Sequence, residues 1–420
     1  MQTLPGFREF APEECAQRNY IFKTWRRVAR SYGFVEYDGP TLESVELYAK
    51  KNESGAEILQ QLYQFEDKGG RAVALRPEMT PTLARMVATN ARQYRKPLKW
   101  FSIASFFRYE RQQKGRLREF IQLNCDLIGE AGASADAELL ALVIDLLRAF
   151  GFTEKDFVLR ISDRSAWMAF LEKRGVPAEL VGTVLQAADK LERDTEEVLN
   201  TKLAPAGLTV AELKAFIAEG SPEAFAPLLA DLQARGLSEF VEVDLSIVRG
   251  LAYYTGVVFE VFDRAKTLRA LAGGGRYDAL IKDLSDGAAD LPALGFGMGD
   301  VVLANFIAAH PEATVRMQAA IAADSAAQIY VVVADDARRA EALALTQQLR
   351  QEGWRVDLPL ATGVKFKKQF ESAENLGAQY AVIVGQEWPQ IKVKTLAKRE
   401  ETALPQSELA DWLKKGENSL

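Results

Sequence analysis

The chain has 420 residues, of which 48% are hydrophobic and 26% charged, and this is typical of a globular protein with two or three domains. One histidine and two cysteines are too few for a histidine-rich metal site, a four-thiolate zinc site or a disulfide framework, and they argue against a Ser-His-Asp triad. Because the net charge is −6, any nucleic-acid binding must depend on local basic patches.

The N-terminal part predicts helices and strands of a mixed domain. Apolar residues at helical spacing predict an amphipathic helix over 12–32, which ends at Gly33. The segment FVEYDGP then predicts a strand that ends at Pro40. Residues 98–128 predict two long strands joined by the turn QQKG, and DAELLALVIDLLRAFGF predicts a further helix.

The middle of the chain changes character twice. Residues 163–238 are rich in Ala, Leu and Glu and predict a helical insertion. Strand-like runs punctuated by glycine follow at 245–262 and 269–303. This order predicts an α+β domain with a mainly antiparallel sheet.

A weakly periodic stretch, 304–327, predicts a linker, with the lone histidine, His310, at the surface. Strands and helices then alternate, which predicts a small α/β domain. We therefore expect domains at 1–326 and 327–420. By itself the second pattern is equally typical of a ligand-binding or dimerisation module.

The hairpin FRYERQQKGRLREFIQLNCD carries a polar face. Alternation along its second strand places six residues on one side: Arg116, Arg118, Phe120, Gln122, Asn124 and Asp126. Arg108 and Glu110 join them from the partner strand. A solvated face over a core would explain the alternation, but guanidinium, aromatic, amide and carboxylate groups together are also what binds a nucleotide.

Three further stretches hold polar groups in apolar surroundings. In LRPEMTPTLAR, the residues Arg76, Glu78 and Thr80 alternate onto one face, which is also typical of a strand end with a helix cap. In SIVRGLAYYTGVVFEVF, Arg249 needs an anionic partner, either a structural carboxylate or a ligand phosphate. In LAGGGRYDALI, three glycines before Arg276 permit close approach to a ligand or form a tight turn.

In this order the stretches resemble the class II aminoacyl-tRNA synthetases, specifically the histidyl-tRNA synthetase family. FRYERQQKGRLREF resembles motif 2, IVRGLAYYTGVVFE the histidine-specific signature, AGGGRYDAL the segment after it, and LRPEMTPTLAR the substrate-amine loop. The first helix with GFVEYDGP resembles motif 1, and VKFKKQFESAENLGAQYAVIVG resembles the anticodon-binding domain. The resemblance covers nearly the whole chain except the insertion. It implies an α+β class II catalytic domain, an antiparallel sheet flanked by helices, followed by an α/β anticodon-binding domain.

The resemblance implies that histidine is activated by ATP to histidyl-adenylate and transferred to tRNA(His) by a cytoplasmic homodimer without a membrane partner. Mg²⁺ is expected with the ATP. Arg108 and Arg249 would be catalytic and hold the α-phosphate and the histidine carboxylate. The other ATP contacts would be Glu110, Arg116, Phe120 and Arg276. The histidine pocket would comprise Glu78, Thr80 and Gln122 around the α-amine and Asp126, Tyr253 and Tyr254 around the imidazole.

Two groups of residues would contact tRNA(His) by the same resemblance. In the hairpin turn these are Arg111, Gln113 and Lys114, and in the last domain Lys365 and Lys368. Helical spacing predicts that Phe366, Phe370, Ala373 and Leu376 form a buried stripe, leaving the lysines outward, where they would form a phosphate-binding patch or merely a solvated cluster.

The chain departs from the family pattern in ALGFGMGDVVL, which resembles motif 3. The family places an acidic residue and an ATP-binding arginine where this chain has Val301 and Val302. Arg116 or Arg276 would then have to supply the charge. Ala252 replaces an aspartate, and Asp126 stands where many members have glutamate.

The alternative is a non-catalytic paralogue such as the regulatory subunit of ATP phosphoribosyltransferase in histidine biosynthesis. Such subunits usually lack the anticodon-binding domain, so 327–420 weighs against this alternative. The presence of both Arg108 and Arg249 weighs against it as well.

Overall fold

The computed structural model describes residues 2–49, 56–110, 116–191, 193–220, 222–248, 253–324 and 327–417. The chain divides into two compact units, Met1–Met317 and Gln318–Leu420. Within the described ranges, no helix is both long and apolar enough to cross a membrane.

The first unit is built on a mainly antiparallel sheet. Its strands are β1 (Val35–Glu36), β2 (Leu42–Ser44), β3 (Tyr63–Glu66), β4 (Ala72–Leu75), β5 (Leu98–Phe107), β6 (Glu119–Ile128), β7 (Phe157–Asp163), β8 (Val241–Val243), β9 (Val257–Asp263), β10 (Ala272–Arg276) and β11 (Ala293–Gly299). The large sheet has the order β1-β5-β6-β11-β10-β9-β7-β8, and a small sheet has the order β2-β4-β3. At the two edges of the large sheet, β1 pairs in parallel with β5 and β8 with β7. The predicted α+β architecture is therefore confirmed.

The helices of this unit lie between and beside these strands. They are α1 (Pro12–Ser31), α2 (Val45–Ala49), α3 (Ala56–Gln60), α4 (Thr80–Thr89), α5 (Ala133–Arg148), α6 (Arg164–Lys173), α7 (Ala178–Asp189), α8 (Glu196–Leu203), α9 (Val210–Glu219), α10 (Pro222–Ala234), α11 (Leu280–Leu284) and α12 (Asp300–Ala309). A further helix, α13 (Pro311–Ala323), begins in this unit and continues past Met317. α1 buries Ile21, Trp25 and Val28, as its apolar stripe predicts. The helices α6 to α10 occupy the segment between β7 and β8, and Trp167 donates from Nε1 to the Leu245 carbonyl at 2.8 Å.

Two local predictions for this unit are wrong. The strand expected to reach Pro40 ends at Glu36, although the Tyr37 N–H still donates to the Phe101 carbonyl at 2.9 Å. The stretch expected as a linker is occupied by α12 and α13, since tertiary burial of residues such as Phe306 stabilises helices whose own periodicity is weak. His310 ends α12, and its ring packs half-buried against Phe152 and Phe306.

The second unit is a smaller α/β fold. Its elements are β12 (Ile329–Val333), α14 (Arg339–Gln351), β13 (Val356–Asp357), α15 (Phe366–Asn375), β14 (Tyr380–Val384), β15 (Gln390–Thr395), β16 (Glu400–Pro405) and α16 (Leu409–Glu417). The strand order is β13-β12-β14-β15-β16, in which β13, β12 and β14 are parallel. The strand β16 was not predicted from the sequence.

The stripe predicted for α15 is partly wrong. Phe366 is 49% exposed, whereas Gln369 is 2% exposed. The Gln369 amide accepts from the Val333 N–H at 2.8 Å and donates to the Val333 carbonyl at 2.9 Å. This pairing with β12 satisfies a polar side chain that spacing alone would place at the surface.

Candidate active site

A cavity of about 550 Å³ lies in the first unit against the hairpin β5–β6. Its lining includes five of the predicted residues: Arg108, Glu110, Arg116, Phe120 and Gln122. The other walls come from the loop between β9 and β10 and from the first turn of α12. Residues far apart in sequence thus meet in one concave, strongly charged site.

The hairpin wall holds two arginines in defined positions. Arg116 Nε lies 2.6 Å from Glu110 Oε2, and Glu110 is 9% exposed. Arg108 donates from Nε to the Pro77 carbonyl at 3.0 Å, and its guanidinium carbon lies 5.3 Å from the centroid of the Phe120 ring. These contacts fix the arginines before any ligand binds, which lowers the cost of binding an anion.

Arg118 departs from the face predicted by alternation. Its guanidinium carbon lies 4.3 Å from the Tyr109 ring centroid, and its Nε donates to the Glu110 carbonyl at 3.3 Å. Because β6 begins at Glu119, two-residue periodicity does not extend back to residue 118.

A buried carboxylate lies farther along the same face of β6. Asp126 is 2% exposed, and Tyr277 donates its hydroxyl proton to Asp126 Oδ1 at 2.5 Å. Oδ2 is also buried and has no hydrogen-bond partner in the described part of the chain. Burial raises the pKa of Asp126 to about 7. Tyr277 was not predicted as a site residue, although the motif AGGGRYDAL contains it.

The substrate-amine loop and the paired tyrosines meet beside this carboxylate. Tyr253 donates its hydroxyl proton to Glu78 Oε2 at 3.2 Å, and Glu78 is 5% exposed. The Tyr253 ring lies 4.9 Å from that of Tyr254 and 5.9 Å from that of Tyr277, centroid to centroid. Thr80 is the first residue of α4. Glu78, Tyr253 and Tyr254 are therefore neighbours, and Tyr277 connects them to Asp126.

Glycines of β11 provide the space for the polar face of β6. A Cβ atom at Gly295 would lie 2.0 Å from Asp126 Oδ1, and one at Gly297 would lie 2.4 Å from Gln122 Nε2. Both distances are far below contact, so the two polar side chains lie directly over glycine backbone. The polar side chains of β6 thus require glycine at positions 295 and 297.

Arg276 is not brought to the cavity, contrary to the prediction. Its Nη2 lies 2.9 Å from Asp136 Oδ2, its Nη1 lies 3.2 Å from Asp278 Oδ1, and Nη1 also donates to the Glu130 carbonyl at 3.1 Å. Arg276 is 6% exposed. These partners make Arg276 a structural ion-pair residue and leave no free face for ATP.

The first turn of α12 contributes a carboxylate and two valines to the cavity wall. Arg8 donates from Nη2 to Asp300 Oδ2 at 2.8 Å, and the Ile121 N–H donates to Asp300 Oδ1 at 3.1 Å. Burial raises the pKa of Asp300, and Arg8 opposes that shift. Val301 and Val302 follow, so this wall supplies no cation where the family pattern has one. Two other lining cations, Arg193 and Arg269, were not predicted from the sequence.

The other predicted residues are either outside the described residues or in the second unit. Arg111, Gln113, Lys114, Arg249 and Ala252 are outside the described residues. Lys365 and Lys368 are exposed at the start of α15 in the second unit. In the described ranges, no group of three or more His, Cys, Asp or Glu side chains is arranged to hold a metal ion.

Both parts of the chain match families of known proteins. Residues 6–299 match the family model for histidyl-tRNA synthetase, and residues 328–416 match that for the anticodon binding domain. A histidine--tRNA ligase of Opitutus terrae is 45% identical over 97% of both chains. One from Leptospira biflexa is 38% identical over 95% of this chain and 93% of its own.

Solved structures share the fold. The crystal structure of a histidyl-tRNA synthetase from a Nostoc species covers 99% of both chains, with a TM-score of 0.75 at 24% sequence identity. The family models together span most of the chain, and the relatives match it almost end to end. On this evidence, the chain belongs to the histidyl-tRNA synthetase family.

Proposed function

We propose that the chain activates histidine with ATP and transfers the histidyl group to tRNA(His). The observation that carries this proposal is the buried Asp126, whose Oδ2 has no hydrogen-bond partner among the described residues. Asp126 lies on the same strand face as Phe120 and Gln122, which line the arginine-rich cavity, so an acceptor for an imidazole N–H shares a face with a site for anions. Relatives named histidine--tRNA ligase support the same reaction.

The histidine side chain would be recognised by Asp126. The ionised carboxylate accepts the imidazole N–H at Oδ2, while the Tyr277 hydroxyl holds Oδ1 and fixes the orientation of the carboxylate. Tyr253 and Tyr254 would line the imidazole pocket. Glu78, Thr80 and Gln122 would bind the α-amine, since Glu78 is buried and negatively charged.

The ATP would occupy the cavity beside the hairpin. Arg108 and Arg249 would hold the α-phosphate and the histidine carboxylate, Arg116 and Glu110 the triphosphate and adenine amine, and Phe120 would stack on adenine. A carboxylate oxygen of histidine attacks the α-phosphorus, the bond to the β-phosphate breaks, and pyrophosphate leaves. The arginines stabilise the charge on the α-phosphate and bring two anions together.

Mg²⁺ would arrive with ATP. In proteins, Mg²⁺ in nucleotide sites is commonly held by one or two carboxylates together with the phosphates. The cavity lining provides Glu260 as a carboxylate of this kind, and the described residues form no cage of protein ligands. Bound there, the metal would neutralise phosphate charge.

The partners would be tRNA(His) and a second copy of the chain, in the cytoplasm. The exposed Lys365, Phe366 and Lys368 offer cations for phosphates and a ring for a base. Arg111, Gln113 and Lys114 would contact the acceptor end. The homodimer is expected because motif 1 forms the dimer interface in class II enzymes.

The test is histidine-dependent ATP–pyrophosphate exchange by the purified protein, followed by charging of tRNA(His). We expect exchange that requires histidine, and we expect Arg249→Ala to abolish it while circular dichroism and oligomeric state stay unchanged. A folded wild-type protein without exchange would contradict the proposed function. A near-normal rate in the variant would contradict the role of Arg249 alone.

A further inference from the structure

The cavity holds positive charges that its carboxylates do not match. The lining includes Arg108, Arg116, Arg193 and Arg269. The lining carboxylates are Glu110, Glu260 and Asp300, of which Glu110 pairs with Arg116 and Asp300 with Arg8, which is not among the lining residues. Four lining arginines thus face three lining carboxylates, one of which is engaged by an arginine outside the lining, so a bound anion would improve the charge balance.

Arg269 has the clearest need of such a partner. Within the described part of the chain, its guanidinium makes no hydrogen bond and no ion pair within 4.0 Å. Its pKa is lowered by burial and by the positive charge of Arg116, and Arg193 lowers it further, whereas the carboxylates of Glu110 and Glu260 raise it. The like charges of Arg116 and Arg193 thus act on Arg269 alongside two carboxylates. The binding of phosphate oxygens there would relieve the repulsion.

The loop that carries Arg269 is held in place by its own hydrogen bonds. Asp263, which is 2% exposed, accepts from the Thr267 N–H at 2.8 Å and the Thr267 hydroxyl at 2.7 Å through Oδ2. Its Oδ1 accepts from the Leu268 N–H at 3.3 Å. The backbone immediately before Arg269 is therefore fixed between β9 and β10, so the guanidinium projects from an ordered loop.

The facing wall cannot provide this charge. In the first turn of α12, Asp300 is negative and engaged by Arg8, and Val302 is apolar. Arg276 is also occupied, by Asp136 and Asp278. Arg269 lies close enough to Arg116 for the two charges to interact, whereas Arg116 has its own ion pair with Glu110.

We propose that Arg269 binds the β- and γ-phosphates of ATP together with Arg116. This inference rests on the proposed function, because it assigns ATP to this cavity. Arg269 would then supply, from the loop between β9 and β10, the cationic contact that α12 lacks. Arg193 and Arg269 are both exposed, and Arg193 belongs to the segment between α7 and α8.

Nucleotide binding by the full-length protein tests the proposal. Calorimetric titrations with Mg-ATP and with AMP, without histidine or tRNA, would compare wild type with Arg269→Ala. A lost charge-assisted contact predicts a roughly 10–100-fold weaker Kd for ATP. The Kd for AMP should stay unchanged, because AMP lacks the two phosphates that Arg269 is proposed to bind.

Arg264→Ala is the matched control. Arg264 lies in the same loop but pairs with Glu242 at 2.9 Å and is not among the lining residues of the cavity, so its removal should leave both Kd values unchanged. Arg269→Lys should retain part of the affinity for ATP, since one charge remains. Unchanged ATP binding by Arg269→Ala, or an equal loss for ATP and AMP, would overturn the assignment.

The same titrations separate this proposal from the proposed function. A wild-type protein that binds ATP but shows no histidine-dependent exchange would refute the histidine reaction. The comparison of ATP with AMP would still decide whether Arg269 contacts the terminal phosphates. A wild-type protein that does not bind ATP overturns the assignment of Arg269.

Discussion

Asp126 is the single buried side chain proposed here to select the substrate. Its pKa is raised to about 7 because the charged form is desolvated, and the Tyr277 hydroxyl offsets only part of that effect. Near neutral pH the group thus changes between an acceptor, when ionised, and a neutral carboxyl, when protonated. Histidine recognition through an imidazole N–H requires the ionised form.

We therefore predict that the KM for histidine in ATP–pyrophosphate exchange rises as the pH falls from 8 to 6. Free histidine also titrates in this range, so wild type is compared with Asp126→Asn, whose side chain does not titrate. As the pH falls, we expect the KM of wild type to rise more than that of Asp126→Asn, and we expect this additional rise to begin near pH 7. Identical pH profiles of KM in the two proteins would show that Asp126 does not control binding.

The same pKa predicts a pH dependence of stability that needs no activity. The folded-state pKa is above the unfolded value, so the stabilisation from Asp126 is present at acid pH and is lost as the pH rises towards 7. Relative to Asp126→Asn, wild type should lose about 1.4 kcal/mol per pH unit between pH 4 and 7 and change little above that. Thermal unfolding of both proteins at several pH values measures this difference.

The sequence predicts which strand face some site residues occupy, but not the contacts that other side chains make. Alternation along β6 correctly placed Gln122 and Asp126 on one face, because a regular strand has a two-residue period. It could not show that Tyr277 would bond to Asp126, that Asp136 would engage Arg276, or that Gln369 would be buried against β12. Those outcomes depend on partners that are brought together only by the fold.

At the scale of elements, the polar side chains of β6 explain why the paired strand β11 contains glycines. Gly295 pairs opposite Asp126, and Gly297 pairs opposite Asn124 while lying beneath the amide of Gln122. A side chain at either glycine would enter the space of a polar group proposed to bind histidine. Glycine is needed here for close approach, not for an unusual backbone conformation.

We predict that Gly295→Ala displaces Asp126 and raises the KM for histidine at least tenfold, since the new Cβ would lie 2.0 Å from Oδ1. Gly297→Ala should displace Gln122 in the same way, with a smaller effect because the far end of that side chain is flexible. Gly299→Ala is a control for folding. Its thermal stability should equal that of wild type, because a Cβ there meets no atom within 4 Å. A KM for histidine unchanged in Gly295→Ala would contradict the assigned pocket.

The elements themselves were predictable where local signals were strong. The helix α1 and the hairpin β5–β6 follow from periodicity and agree with the structure. The helices α12 and α13 were mistaken for a linker, because apolar positions such as Leu303 and Phe306 are buried by tertiary contacts that weak periodicity does not reveal. The strand β16 has mostly exposed residues and was missed for lack of an apolar face.

At the scale of the whole molecule, a chain with a net negative charge is proposed to bind tRNA, which is also negatively charged. The net charge of −6 would oppose association with tRNA, so the interaction has to come from local groups. In the second unit the exposed Lys365 and Lys368 flank Phe366, which is 49% exposed against the expected burial. This cluster combines charges for the backbone with a ring for a base.

Salt titrations of tRNA(His) binding should distinguish the contribution of the two lysines from that of the Phe366 ring. Each lysine that neutralises a phosphate releases counterions, so Lys365→Ala with Lys368→Ala should reduce the slope of log K against log salt by about 0.7–0.9 per lysine. Phe366→Ala should weaken binding by about 1–3 kcal/mol, as for one stacked base, and leave the slope unchanged. Lys398→Ala, an exposed lysine in the same unit outside the cluster, should alter neither quantity. If the double lysine variant retained the wild-type slope, Lys365 and Lys368 would not contact tRNA phosphates. The affinity for tRNA would then have to come from other residues.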